Sequence, residues 1–129
     1  METLRAVRLA LCADPDVTLA VVFGSSARGT ASGSSDLDIG VVGVTASRLP
    51  ALAVTLSRLA GRQVDLIQLE AAPPLLRFEI ARDGVPLAER TEGLWPAFQA
   101  RAMVDWWEWA PSARRFAEAA MSRLASGAP

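Results

Sequence analysis

The sequence predicts a domain of mixed α and β structure, α/β in the broad sense (α+β), in which helices pack against a small mixed β-sheet. Apolar runs of strand length alternate along the chain with segments whose apolar residues recur at helical spacing. Clusters of glycine, proline and serine separate these segments. The chain has 129 residues, 51% of them apolar, which is enough to close one hydrophobic core. We therefore expect residues 1–129 to form a single domain.

The first third of the chain predicts one helix and two strands. Thr3 is placed to cap a helix that the Asp14-Pro15 turn ends, and its apolar residues at helical spacing are Leu4, Val7 and Leu11. The apolar run 17–23 predicts a buried strand, and 37–44 predicts a second one. Glycine, serine and threonine dominate 24–35, which predicts a loop with one helical turn at 26–29.

The remaining segments alternate in the same way. Ser47 is placed to cap a helix that Gly61 ends, and its apolar stripe consists of Leu49, Leu52, Leu56 and Leu59. A third strand is predicted at 64–69, and a helix at 73–81 that Pro73 and Pro74 open. A short strand at 85–88 is expected at a sheet edge, because Pro86 cannot donate to a ladder. From residue 94 to 124 we expect a C-terminal helical region, interrupted or kinked at Pro111.

Composition excludes several classes of site. The chain has no histidine and one cysteine, which excludes Ser-His-Asp catalysis, Cys-His catalysis, histidine-ligated zinc and an internal disulfide. We expect Cys12 to be a buried, inert thiol. All thirteen cationic residues are arginines, spread along a chain of net charge −1, so we expect no nucleic-acid interface. Arginines within the N-terminal apolar stretch suit neither a signal peptide nor a membrane helix, and we expect a cytoplasmic protein.

Two aspartates in the second predicted strand indicate a cation site. Asp36 and Asp38 project from the same face of that strand, while Leu37 between them points into the core. Asp65 is the only charge in the third strand, which we expect to lie beside the second. Three carboxylates without nitrogen or sulfur ligands favour Mg²⁺ or Mn²⁺. Capping or surface-edge roles are the alternative for the aspartates.

A glycine-serine turn precedes these carboxylates. Gly24 and Ser25 follow a strand, so backbone N–H groups and the serine hydroxyl can bind a phosphate there. Arg28 either clamps a triphosphate or pairs with a neighbouring aspartate. The glycine spacing also suggests a P-loop, but Thr30 stands where that motif requires lysine. Phosphates above carboxylates are typical of two-metal chemistry on a nucleoside triphosphate.

This motif resembles the signature of nucleotidyltransferases of the DNA polymerase β superfamily. The resemblance rests on Gly24-Ser25, ten intervening residues, Asp36-Leu37-Asp38 and Asp65 downstream, and it covers most of 17–90. In the segment SSARGTASGSSDLDIGVV and in its compact length, the chain resembles minimal nucleotidyltransferases, including MntA-type antitoxins paired with HEPN-domain toxins. The resemblance implies a polymerase-β-like fold, two Mg²⁺ ions, ATP as substrate and adenylylation of a toxin, typically on tyrosine, that silences its ribonuclease activity.

Two other functions remain open at this point. The acceptor could be a small molecule such as an aminoglycoside, although such enzymes usually carry a further substrate-binding domain. The chain could also mask a partner by contact alone, although a pure binding protein has no use for clustered carboxylates.

The C-terminal helical region is where we expect a protein partner to dock. Tryptophan and arginine commonly anchor interfaces, and this region contains Trp106, Trp107, Trp109, Arg114 and Arg115. Adjacent helical positions diverge by about 100°, so the three tryptophans cannot all face one core. We therefore expect at least one exposed tryptophan.

Overall fold

The computed structural model describes residues 2–24 and 36–125. These residues form four α-helices: α1 (Glu2–Ala13), α2 (Leu49–Ala60), α3 (Pro74–Asp83) and α4 (Leu94–Ala125). They also form four strands: β1 (Leu19–Phe23), β2 (Leu37–Val42), β3 (Val64–Gln68) and β4 (Val85–Glu89). Single 3₁₀ turns at Ala46–Arg48 and Leu69–Ala71 precede α2 and follow β3. The α/β class and the order of elements predicted from the sequence are confirmed.

The strands form one mixed sheet in the order β3-β2-β1-β4. β1 pairs antiparallel with both β2 and β4, whereas β2 and β3 run parallel. Helix α2 makes the connection between the two parallel strands, since a parallel pair requires a crossover. The predicted edge position of the strand that contains Pro86 is confirmed.

Each face of the sheet packs against a different pair of helices. Side chains alternate along β2, so Leu37, Ile39 and Val41 join the core under α1 and α2, where Val7 and Leu56 are fully buried. The opposite face carries Val21 and Leu69, which pack with Ile80 of α3 and with the beginning of α4. The sheet is therefore the middle layer of three.

Helix starts differ from the sequence predictions in two places. Helix α1 already includes Thr3, so that residue is not its cap. Ser47 lies in the 3₁₀ turn before α2, and no side chain caps that helix. Pro50 in the first turn of α2 provides a preset φ angle instead. The predicted end of α2 is confirmed, because Gly61 adopts φ 69° after its last turn.

Three further expectations are corrected. Cys12 is exposed, because Val7 and Leu11 occupy the stripe of α1 that faces the sheet and Cys12 lies about 100° away from Leu11. Leu59 is also partly exposed, and Ala60 takes its place in the buried stripe of α2. Helix α4 continues through Pro111 from Leu94 to Ala125, so the predicted interruption is absent, because one missing N–H removes a single hydrogen bond from a 32-residue helix. The predicted kink at Pro111 stays a prediction.

Candidate active site

Two of the predicted site residues are direct neighbours in the sheet. Asp38 of β2 lies opposite Asp65 of β3 in the parallel register, and adjacent strands are about 4.8 Å apart. Their flanking residues Leu37, Ile39 and Val64 belong to the core under α1 and α2. Both carboxylates therefore project from the other face, on the side of α3.

Asp36 lies at the entrance to this pair. It precedes β2 rather than lying inside it, and it is exposed. The ladder nevertheless begins beside it, because Leu37 donates its N–H to the Gln63 carbonyl at 2.9 Å. Asp36 is thus a third carboxylate near the start of β2, in a more solvated position than the sequence predicted.

Gly24 closes the site from the end of β1. The register places Phe23 opposite Asp38, and Gly24 follows with φ 75°, a backbone conformation that favours glycine. A Cβ atom added at Gly24 would lie 2.6 Å from Oδ2 of Asp38. The missing side chain therefore allows the backbone turn to lie directly against the carboxylate.

Negative charge is concentrated at Asp38. Partial burial raises the pKa of its carboxyl group, and the negative charges of Asp65 and Asp36 raise that pKa further. Gln63 donates its side-chain N–H to Oδ1 of Asp65 at 3.2 Å. The surroundings of Asp38 therefore disfavour its ionised carboxylate, as is typical of a site that binds a cation.

The carboxylates fit a magnesium site of the open kind. Among residues 2–24 and 36–125, no group of three or more acidic or cysteine side chains is arranged to hold a metal ion. Mg²⁺ ordinarily takes one or two carboxylates and completes its coordination shell with water and substrate phosphates. Asp38 and Asp65, with Asp36 beside them, match this donor set.

Ser25 and Arg28, the other predicted phosphate contacts, lie outside the described residues. Their roles stay predictions, as do the metal-binding and catalytic roles of the aspartates.

A cavity that sequence reasoning did not identify adjoins Gly24. Its volume is about 280 Å³, and its apolar wall consists of Phe23, Leu76 and Ile80. The polar rim comes from the C-terminal half of α3: Glu79, Arg82 and Asp83. These residues are more than fifty positions from Gly24 in the sequence, and only the packing of α3 against β1 brings them together.

A match to the model of a protein family identifies the fold. The sequence model described as polymerase beta, nucleotidyltransferase matches residues 8–93, which is most of the chain and includes the whole sheet. The chain belongs to this nucleotidyltransferase family. The resemblance and the polymerase-β-like fold expected from the sequence are therefore confirmed. No curated protein matches this nucleotidyltransferase.

Several solved structures share the fold. A chain of a toxin–antitoxin complex with AMP-PNP is 23% identical, with a TM-score of 0.77 over 93% of this nucleotidyltransferase and 98% of that chain. A chain of the complex between a tri-AMPylated Shewanella oneidensis HEPN toxin and its MNT antitoxin is 20% identical, with a TM-score of 0.73 over 94% and 99%. A minimal nucleotidyltransferase is 38% identical, with a TM-score of 0.52 over 66% and 93%.

No helix within 2–24 or 36–125 is both long and apolar enough to cross a bilayer.

Proposed function

We propose that this nucleotidyltransferase transfers AMP from ATP to a hydroxyl group, specifically that of a tyrosine, on a HEPN-domain toxin and thereby silences the toxin's ribonuclease activity. The observation that carries the proposal is the pairing of Asp38 with Asp65 against the Gly24 turn. Two neighbouring carboxylates beside a glycine turn suit the transfer of a nucleotidyl group.

The comparisons supply support for the donor and the acceptor. One structure with this fold contains AMP-PNP, and another contains a HEPN toxin that carries AMP. The AMP-carrying toxin in that complex favours a protein acceptor over a small molecule such as an aminoglycoside.

Each residue has a defined role in the proposed transfer. The turn at Gly24 and Ser25 holds the triphosphate, and Asp65 accepts the proton of the attacking hydroxyl group. The acceptor oxygen bonds to the α-phosphorus, the bond from that phosphorus to the bridging oxygen breaks, and pyrophosphate leaves. Mg²⁺, as two ions or replaced by Mn²⁺, would be held by Asp36, Asp38 and Asp65 and would neutralise charge on the triphosphate and on the leaving pyrophosphate.

The test is the intact mass of a HEPN-domain protein after its co-expression with this chain. We expect a gain of whole AMP units with the wild type and none with Asp36→Asn/Asp38→Asn. A partner whose mass is unchanged in the presence of wild-type enzyme and ATP would contradict the proposed reaction. A gain that persists in the double variant would contradict the proposed site.

A further inference from the structure

The last half of α4 carries an apolar face that is exposed. Its residues occur at the i, i+3, i+4, i+7 and i+8 spacing of one helix side, and we call them the distal stripe: Ala113, Phe116, Ala117, Ala120, Met121 and Leu124. Phe116 is 77% exposed, Met121 67% and Leu124 75%. Three large apolar side chains on one helix face are more than scattered exposure, and they indicate an interaction surface.

The first half of α4 shows how that side of the helix is used within the domain. Helices α3 and α4 run antiparallel, with the Gln99 side chain donating to the Ala81 carbonyl at 2.9 Å. Further along, Phe78 stacks on Trp106 with ring centroids 5.5 Å apart. Ala102, on the same side of α4, is 2% exposed. This side of α4 is therefore a packing seam.

Helix α3 is too short to cover the seam to its end. It has ten residues and a length of about 15 Å, whereas α4 has 32 residues and a length of about 48 Å. Because the helices are antiparallel and α3 begins at Pro74, its cover ends near Trp109. The distal stripe continues the same seam beyond that point, as an apolar face of helical width.

We propose that the distal stripe binds one helix of the protein acceptor, a helix whose apolar face is flanked by carboxylates. This inference rests on the proposed function. The partner helix extends the layer that α3 begins, so that α4 packs against α3 in its first half and against the partner in its second half. The geometry is that of ordinary helix-to-helix packing.

Charge selects the partner over a second copy of this chain. Residues 112–125 contain Arg114, Arg115 and Arg123 against the single Glu118, a net charge of +2 in a chain whose total is −1. Two copies paired through this segment would bring like charges together. An acid-flanked helix complements them instead, and complementary charge favours both specificity and rapid encounter.

The structures that share the fold match different shares of this chain. The matched chain of the toxin–antitoxin complex with AMP-PNP covers 93% of this nucleotidyltransferase and leaves about nine residues unmatched. At least part of the distal segment therefore has a counterpart in that chain. The match to the minimal nucleotidyltransferase covers only 66%.

The test compares variants of the full chain in binding to a co-expressed HEPN-domain protein, measured by calorimetry. Phe116→Ser/Leu124→Ser should weaken binding at least tenfold, because it removes the two most exposed large residues of the stripe. Arg114→Glu should also weaken binding severalfold, because Arg114 is about 100° from Ala113 on the helix and therefore flanks the stripe. The matched control is Leu9→Ser on α1, a leucine that is 60% exposed on the far layer and whose change should leave binding unaltered.

Other outcomes overturn the proposal. Undiminished binding of the Phe116→Ser/Leu124→Ser protein does so, as does a loss of binding in Trp107→Ser alone, which would place the interface on the tryptophan cluster. Self-association of the wild type that the stripe variant abolishes would assign the surface to a second copy. Circular dichroism confirms that each variant is folded.

The readouts also separate this inference from the proposed reaction. If the partner acquires AMP but binds the stripe variant as tightly as the wild type, the proposed docking surface is wrong and the proposed reaction stands. If binding requires the stripe but the partner never acquires AMP, the docking surface stands and the reaction is wrong.

Discussion

Position 24 requires glycine for two reasons, one the backbone conformation and the other the space available. Its φ of 75° disfavours any side chain, and the Asp38 carboxylate occupies the position that a Cβ would need. We expect Gly24→Ala to lower the free energy of unfolding by at least about 2 kcal/mol, because it adds a displaced carboxylate to the backbone strain. It should also abolish transfer. Urea denaturation and a transfer assay measure the two effects.

Gly61 offers the matched control for this substitution. Its φ of 69° is nearly the same, but nothing lies within 4 Å of an added Cβ. Gly61→Ala should therefore cost only the backbone strain, about 1 kcal/mol, and retain activity. Equal losses of stability in the two variants would refute the contact between Gly24 and Asp38 as the cause.

Asp38 should make stability depend on pH. The pKa of Asp38 is raised in the folded state. Its protonated carboxyl group therefore stabilises the fold at pH values below 3.8, the ordinary pKa of an aspartic acid side chain. This contribution is lost as the pH rises through the folded-state pKa. Without metal, Asp38→Asn should melt a few degrees above the wild type at neutral pH, and the difference should vanish near about pH 3. Thermal melts in EDTA across this range check the sign. A variant less stable than the wild type at neutral pH would contradict it.

Asp65 should separate binding from chemistry. It is exposed at the edge strand β3, whereas Asp38 lies deeper beside Gly24. We expect Asp65→Asn to bind ATP with Mg²⁺ nearly as the wild type does and to transfer AMP at least about 100-fold more slowly, because the attacking hydroxyl loses its base. Single-turnover transfer from labelled ATP is the measurement. A wild-type rate would remove Asp65 from the catalytic site.

At the scale of elements, one carboxylate ties α4 to α3. Asp105 accepts from Arg77 of α3, whose side chain is 22% exposed, and from Arg101 of α4 itself at 3.1 Å, whose side chain is 77% exposed. Arg77→Ala should cost about 2 kcal/mol of unfolding free energy, since it leaves a partly buried carboxylate without its best partner. Arg101→Ala should cost less than about 0.5 kcal/mol. Chemical denaturation of both variants measures the contrast, and equal costs would show that burial is irrelevant to this ion pair.

Sequence patterns located the elements better than they located element ends. The strands were recognisable because apolar runs of strand length stood between turn residues, and the pairing of the strands that contain Asp38 and Asp65 followed from that pattern. The start of α2 was missed because Pro50 moved the first helical turn beyond Ser47. The exposure of Cys12 depends on its angle from the buried stripe of α1, and the residue type alone does not give that angle.

The site was predictable to the extent that its residues lie close together in the sequence. The spacing from Gly24 to Asp38 encodes a turn against a strand, and the structure places those two residues in contact range. The cavity wall formed by α3 had no such signal, since its contact with β1 depends on the whole three-layer packing. The prediction that one tryptophan of the cluster is exposed is confirmed, as Trp107 is 71% exposed.

At the scale of the whole molecule, substrate binding should stabilise the fold. A ligand that binds only the folded state at 100 times its dissociation constant adds about 2.7 kcal/mol. We expect ATP with Mg²⁺ to raise the melting temperature of the wild type, EDTA to reverse the rise, and Asp36→Asn/Asp38→Asn to show none. A thermal shift that persists in the double variant would place the nucleotide elsewhere.

The proposed docking surface on α4 would separate the place where the acceptor is held from the place where it reacts. A partner that docks along a helix of about 48 Å presents its hydroxyl to the carboxylates as an intramolecular group, at an effective concentration set by the reach of the segment that carries it. Transfer within the complex then becomes first order and independent of partner concentration above saturation. A short peptide containing the acceptor hydroxyl has no such tether and should react only at concentrations that approach this effective value.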